Sequence, residues 1–74
     1  MSNKSQEALS EVTGKVWKIV APVGTAVAAD DPIVILESMK MEIPVLAPCA
    51  GTVKEIRFGE GDPVNEGDVV AVVG

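Results

Sequence analysis

The sequence has no histidine, no tyrosine, and only one each of tryptophan, phenylalanine and cysteine. Without histidine, the usual general base near neutral pH and a frequent metal ligand are both missing. Trp17 and Phe58 alone supply no aromatic set for a large ligand pocket. A self-contained enzyme is therefore not expected, nor is a metal site. A lone Cys49 rules out an internal disulfide. With no histidine or cationic cluster near it in sequence, it reads as a small, partly buried residue beside Pro48, not a reactive thiol. Basic residues are also scarce: six Lys and Arg stand against eleven Asp and Glu, a formal net charge of −5. That balance disfavours nucleic acid, whose binding rests on cations neutralising phosphates, and docking on an anionic membrane surface. Long apolar runs are missing too. No stretch approaches the roughly 20 residues of a membrane span, and residues 1–10 lack the apolar core of a signal peptide. The cytoplasm is the expected compartment.

What remains is rich in Val, Ile, Ala and Gly. A chain of 74 residues holds one domain, near the lower limit for a single core. Residues 1–10 (MSNKSQEALS) carry few apolar side chains and no sustained period, so they read as a flexible tail, with the domain spanning 11–74. From Glu11 onward, short Val- and Ile-rich runs alternate with Gly, Pro and Asp, the pattern of many short strands joined by tight turns. Strands are expected over 14–20, 33–38, 41–46, 51–57 and 69–73, with short ones at Val27 and Val64. No window carries a helical period with cap signals.

An internal repeat organises these strands. At an offset of 37, Gly14 and Val16 fall on Gly51 and Val53, and Ile19, Gly24, Val27 and Asp31 on Ile56, Gly61, Val64 and Asp68. Ile33, Ile35 and Leu36 fall on Val70, Val72 and Val73. Matching Gly and Val positions imply that one set of turns and inward-facing positions is used twice. Two similar halves would then pack around a pseudo-twofold axis, each burying an apolar face it cannot bury alone. Asp30 stands where the second half has Gly67, and Asp also tolerates the left-handed region.

Residues 38–50 connect the halves. A two-residue turn at Met39-Lys40 pairs the flanking strands as a hairpin, with Ser38 facing Met41, Glu37 facing Glu42, Leu36 facing Ile43 and Val34 facing Val45. Alternation puts Val34, Leu36, Ile43 and Val45 on the core side. Ile33, Ile35, Glu37, Glu42, Pro44 and Leu46 fall on a mixed outer face. Two features oppose stability: Met-Lys is poor chemistry for a tight turn, and Glu37 and Glu42 are like charges across the strands. Such local rule-breaking is expected where a segment serves something other than the fold. The residues themselves thus describe a projecting lysine, flanked by flexible apolar side chains, with acids beneath.

The run Glu37-Ser38-Met39-Lys40-Met41-Glu42 resembles the E-(A/S)-M-K-M signature of biotinyl domains, the biotin carboxyl carrier family. Ala47-Pro48 followed by Gly51-Thr52-Val53 is similar to that family's A-P-x-x-G-x-V. Gly61-Asp62-x-Val64-x-x-Gly67-Asp68 resembles its G-D-x-V-x-x-G-(D/Q). The likeness covers about residues 12–73. It implies a flattened all-β barrel, a barrel-sandwich hybrid of two four-stranded antiparallel sheets, with the modified lysine on an exposed hairpin. It also implies covalent biotin on Lys40, attached by a biotin protein ligase. The partners implied are a biotin carboxylase, which loads a carboxyl group using ATP and bicarbonate, and a carboxyltransferase, which passes it to an acceptor. The carrier itself would catalyse none of these steps. Met39 and Met41 would offer adaptable apolar contact for ligase and carboxylase sites, and Glu37 and Glu42 would meet basic groups on a partner. Residues 21–31 leave no room for the thumb loop of some acetyl-CoA carboxylase carriers. The start on Met and the segment before Glu11 favour a small independent protein. Two other readings share the topology: a lipoyl carrier, which usually has D-K-A at the hairpin, and an unmodified interaction module.

Overall fold

The computed structural model describes residues 5–74. Eight strands follow one another without a helix among the described residues: β1 Gln6–Leu9, β2 Gly14–Ile19, β3 Ala26–Val27, β4 Pro32–Ser38, β5 Met41–Leu46, β6 Gly51–Ile56, β7 Pro63–Val64 and β8 Val69–Val73. They form two four-stranded sheets, ordered β1-β8-β6-β3 and β5-β4-β2-β7, and every pairing is antiparallel. Among the described residues, no helix is long and apolar enough to cross a membrane. The expected two-sheet, all-β architecture is the observed one, and the strands of 14–73 lie where the sequence places them to within a residue or two at their ends.

The repeat is legible in the hydrogen bonds. Shifting by 37 residues carries β2, β3 and β4 onto β6, β7 and β8. The Gly24 N–H donates to the Val53 carbonyl, and the Gly61 N–H to that of Val16. Asp31 accepts from the Ala28 N–H through its carboxylate, as Asp68 does from Asn65. These acids, with Asp62 accepting from Gly59, close their own turns. Asp30 holds φ 71, matching Gly67 at 91, as the substitution between them requires.

The repeat also reaches a segment that the sequence reading assigns to a tail. Gln6–Leu9 is a strand paired with β8, joining Glu7 to Val72, Ala8 to Ala71 and Leu9 to Val69. Its partner positions are those of β5 moved back by 37: Pro44 to Ile35, Val45 to Val34, Leu46 to Pro32. Ala8 is buried, as Val45 is, and Ser10 is buried where the other half has Ala47. The domain therefore begins before Glu11, and the boundary expected at Ser10 is corrected. The short strand with a single buried side chain shows almost no period, which hides it. Residues 1–4 of the expected tail lie outside the described residues.

The core gathers Val16, Ile33, Val34, Leu36, Val53, Val64, Val70 and Val73, all with essentially no exposure. Burying each of these aliphatic side chains contributes roughly 1.5–3 kcal/mol against exposing it. Ile33 corrects the expected alternation, which places it on the outer face. The register between β4 and β5 slips at Pro32/Val34, a β-bulge that lets consecutive residues turn inward. The second half repeats the device, so that Val70 and Ala71 are both buried.

Candidate functional site

Strands β4 and β5 form the most regular hairpin of the molecule, with Ser38 opposite Met41, Glu37 opposite Glu42, Leu36 opposite Ile43 and Val34 opposite Val45. This is the register expected from the sequence. Leu36 and Val45 bury their side chains and Ile43 is half-buried, so the inner face anchors the hairpin in the core. The outer residues Glu42 and Pro44 are exposed.

At the tip, Met39 has φ 51 and Lys40 φ 66. Two consecutive positive φ values define the type I′ turn that matches the twist of paired strands. Non-glycine residues in this region cost roughly 1–2 kcal/mol each. The regular ladder beneath, anchored in the core, holds the turn there. Lys40 is exposed and makes no salt bridge with any described residue. Met39 is 92% exposed and Met41 62%. Neither methionine packs into the core, so both remain available for contact with another molecule.

Three residues to which the sequence reading gives no such role support the base of the hairpin. Ser38 donates its hydroxyl to the Thr13 carbonyl at 2.8 Å, tying the start of the turn to the approach of β2. Gly14 lies under β4 so closely that a Cβ there would overlap the Glu37 carbonyl oxygen. Lys15 pairs with Glu37 across β2 and β4, its ammonium 4.0 Å from the carboxylate. Glu37 and Glu42 do face each other, so Lys15 moderates a repulsion that the hairpin alone leaves open. Both ends of that ion pair are well exposed, so it adds little stability. The Gly14-Lys15 dipeptide, matched to Gly51-Thr52 in the repeat, was the available signal. Its meaning appears only once β2 lies against β4.

Cys49 is half-buried, with its thiol 3.9 Å from the Val73 carbonyl, in keeping with a packing role. Among the described residues, no three His, Cys, Asp or Glu side chains gather into a possible metal site.

Fold and site together define a class: a doubled β domain that presents an exposed lysine on a left-handed hairpin turn. The family model for biotin/lipoyl attachment, described as "Biotin-requiring enzyme", matches residues 5–73, and the chain belongs to this family. It is 47% identical over 60 residues to the Biotin/lipoyl attachment protein of Bacillus subtilis, covering 81% of this chain and 82% of that protein. It is 44% identical over 55 residues to the Biotin carboxyl carrier protein of Streptococcus mutans, covering 74% of this chain and 42% of that one. Among solved structures, the urea carboxylase of Kluyveromyces lactis superposes with a TM-score of 0.92 at 42% identity. That match covers all of this chain and only 6% of that one. The chain is a biotin carboxyl carrier domain, a non-catalytic member of biotin-dependent carboxylase systems whose cofactor is covalently attached biotin.

Proposed function

We propose that Lys40 is the residue that carries the biotin. The observation that supports this is the position of Lys40 itself: exposed, second in a left-handed two-residue turn, and flanked by exposed Met39 and Met41. A biotin protein ligase supplies biotinyl-adenylate. The Lys40 amine attacks its acyl carbon, an amide bond forms, AMP leaves with the bonding electron pair, and the proton shed by the nitrogen passes to solvent. Biotin held on Lys40 would supply a ureido nitrogen able to carry a carboxyl group between a biotin carboxylase and a carboxyltransferase.

The chain's own residues position this arm. The four-carbon lysine stem sets the reach of the tether, and the paired strands of β4 and β5 fix where it begins. Gly14 and Ser38 hold the hairpin base against β2, so the tip can enter a partner's cleft without the barrel deforming. Met39 and Met41 give both ligase and carboxylase an adaptable apolar contact, which supports biotin over a lipoyl group at this lysine. Glu37 and Glu42 meet basic side chains on those partners. The ATP that drives carboxylation is an intracellular reagent, which supports a cytoplasmic location.

Intact-mass measurement after co-expression with a biotin protein ligase tests the reading. The wild-type chain gains the mass of one biotin, and Lys40→Ala gains none. A mass gain matching a lipoyl group, or a biotin retained by Lys40→Ala, overturns it.

A further inference from the structure

Among the described residues, the side chains that a mild oxidant can attack are the thiol of Cys49, the indole of Trp17 and the thioethers of Met39 and Met41. The fold does not offer them equally. Cys49 is half-buried against the core, its sulfur 3.9 Å from the Val73 carbonyl. Trp17 lies within β2 and has about half of its surface covered. The two methionines stand at the other extreme. Met39, the first turn residue at φ 51, is 92% exposed, and Met41, the first residue of β5, is 62% exposed. Neither belongs to the buried core, which Val, Ile, Leu and Ala fill by themselves. This inverts the usual place of methionine as a flexible filler of core gaps. Both thioethers are instead in water, immediately before and after Lys40.

We propose that Met39 and Met41 form an oxidation site that governs the loading of Lys40, with hydrogen peroxide as the oxidant and Met39 reacting first. This inference rests on the biotin-carrier reading of Lys40. A sulfur lone pair attacks one peroxide oxygen, the O–O bond breaks, and hydroxide leaves with the bonding pair. The proton on the sulfur-bound oxygen passes to that hydroxide, giving a sulfoxide and one water. Sulfur loses two electrons and the peroxide gains them. A thiol-dependent sulfoxide reductase reverses the step: the sulfoxide oxygen leaves as water and two thiols become a disulfide.

The consequence follows from where attachment happens. The acyl carbon of biotinyl-adenylate must come within bonding distance of the Lys40 nitrogen, which a four-carbon stem keeps close to its neighbours in the chain. Whatever enzyme brings the two together therefore covers the tip. Covering a thioether releases water from an apolar, adaptable group. Covering a sulfoxide strips water from a strongly polar oxygen, at a cost that only a new hydrogen bond offsets. The fold itself is indifferent, because neither methionine packs in the core. Oxidation thus slows biotin attachment and leaves the domain folded.

The test treats the chain, before it receives biotin, with hydrogen peroxide and samples it over time. Peptide mass mapping locates each added oxygen, which separates Met39 and Met41 from Trp17, Cys49 and Met1, the last outside the described residues. Met39 gains oxygen before Met41, and Cys49 remains a thiol until both are converted. Peroxide is then removed, and biotin protein ligase, biotin and ATP are added, with attachment followed by intact mass. The chain oxidised at both methionines shows kcat/KM about tenfold lower. Methionine sulfoxide reductases for both sulfoxide epimers, with dithiothreitol, restore the untreated rate. The denaturation midpoint of the oxidised chain equals that of the untreated one. Met39→Leu with Met41→Leu is compared only with itself: whatever its rate, peroxide leaves that rate unchanged. Oxygen arriving at Met41, Trp17 or Cys49 before Met39 overturns the assignment. So does an oxidised chain loaded at the untreated rate, or a leucine variant that loses as much as the wild type. A lowered denaturation midpoint overturns it too, by making the loss one of folding. An untreated chain that gains no biotin overturns the carrier reading instead, and does so before any peroxide is used.

Discussion

The two ends of this molecule occupy matching places in its pseudo-symmetry and are finished differently. In one sheet, Glu37 and Glu42 stand opposite each other and the chain closes over them through Ser38, Met39, Lys40 and Met41. In the other, the corresponding positions are Gly74 and Ser5, so close that a Cβ added at Gly74 would overlap Ser5 although they are far apart in the chain. The fold is satisfied at this place by a glycine and a serine. It therefore does not require the facing acids. What is particular to the hairpin end belongs to its task, and what the ends share belongs to the architecture.

The largest effect expected from this comparison concerns the strand that equates the halves. Deleting residues 1–9 removes β1, the counterpart of β5, along with buried Ala8, and uncovers the edge of β8. On the order of 3 kcal/mol or more should be lost, most of the stability of a domain this small. A denaturant titration should show the cooperative transition weakened or absent. If the deletion unfolds like the intact chain, the strand is dispensable and the equivalence of β1 with β5 is only formal.

The next test sets Gly14 against Gly51, its counterpart. At Gly14, the first residue of β2, an added Cβ overlaps the Glu37 backbone. At Gly51, the first residue of β6, it comes no nearer than 3.1 Å to the backbone of Gly74. Gly14→Ala should lower unfolding stability by about 2–3 kcal/mol, in the range of overpacking, and slow biotin transfer by displacing the hairpin. Gly51→Ala should be milder by about 1 kcal/mol or more and leave transfer at its wild-type rate. Equal losses would mean that the two ends are equally rigid.

Smaller effects are expected at the turn. Met39→Asn places a residue that accepts positive φ where Met39 is strained. Stability should rise by about 0.5–1 kcal/mol while the rate of biotin attachment falls, read by thermal melting and by mass against time. A fall in stability would deny that the turn is strained. Ser38→Ala should cost about 0.5–1 kcal/mol, the usual net value of one hydrogen bond, and can be measured in the same titration.

The hairpin was readable residue by residue because local rules set it: strict alternation over Val34 to Val45 admits one register, and a two-residue turn fixes where it closes. Lys40 and Met39 emerge from that register at the turn, where both are exposed. The bulge at Ile33 was not readable, because an inserted residue breaks the alternation on which the argument depends. Nor was β1, whose four residues bury one side chain and whose partner lies some sixty residues away. Its signal was present in the match of Leu9 with Leu46 at the offset of 37, but a single match carries no weight until the pairing with β8 is seen.

By itself, then, the amino-acid sequence determined the doubled architecture, the core of each half and the lysine at the connection between them. Periodicity and turn chemistry act over a few residues and leave their record there. Tertiary structure alone decided which strand completes the second sheet, that Gly14 and Lys15 brace the hairpin from β2, and that Trp17 and Val20 are left exposed on the sheet that carries Lys40. Each of these depends on which segments become neighbours. That is settled by the packing of two apolar faces against each other, a long-range result that no local pattern encodes.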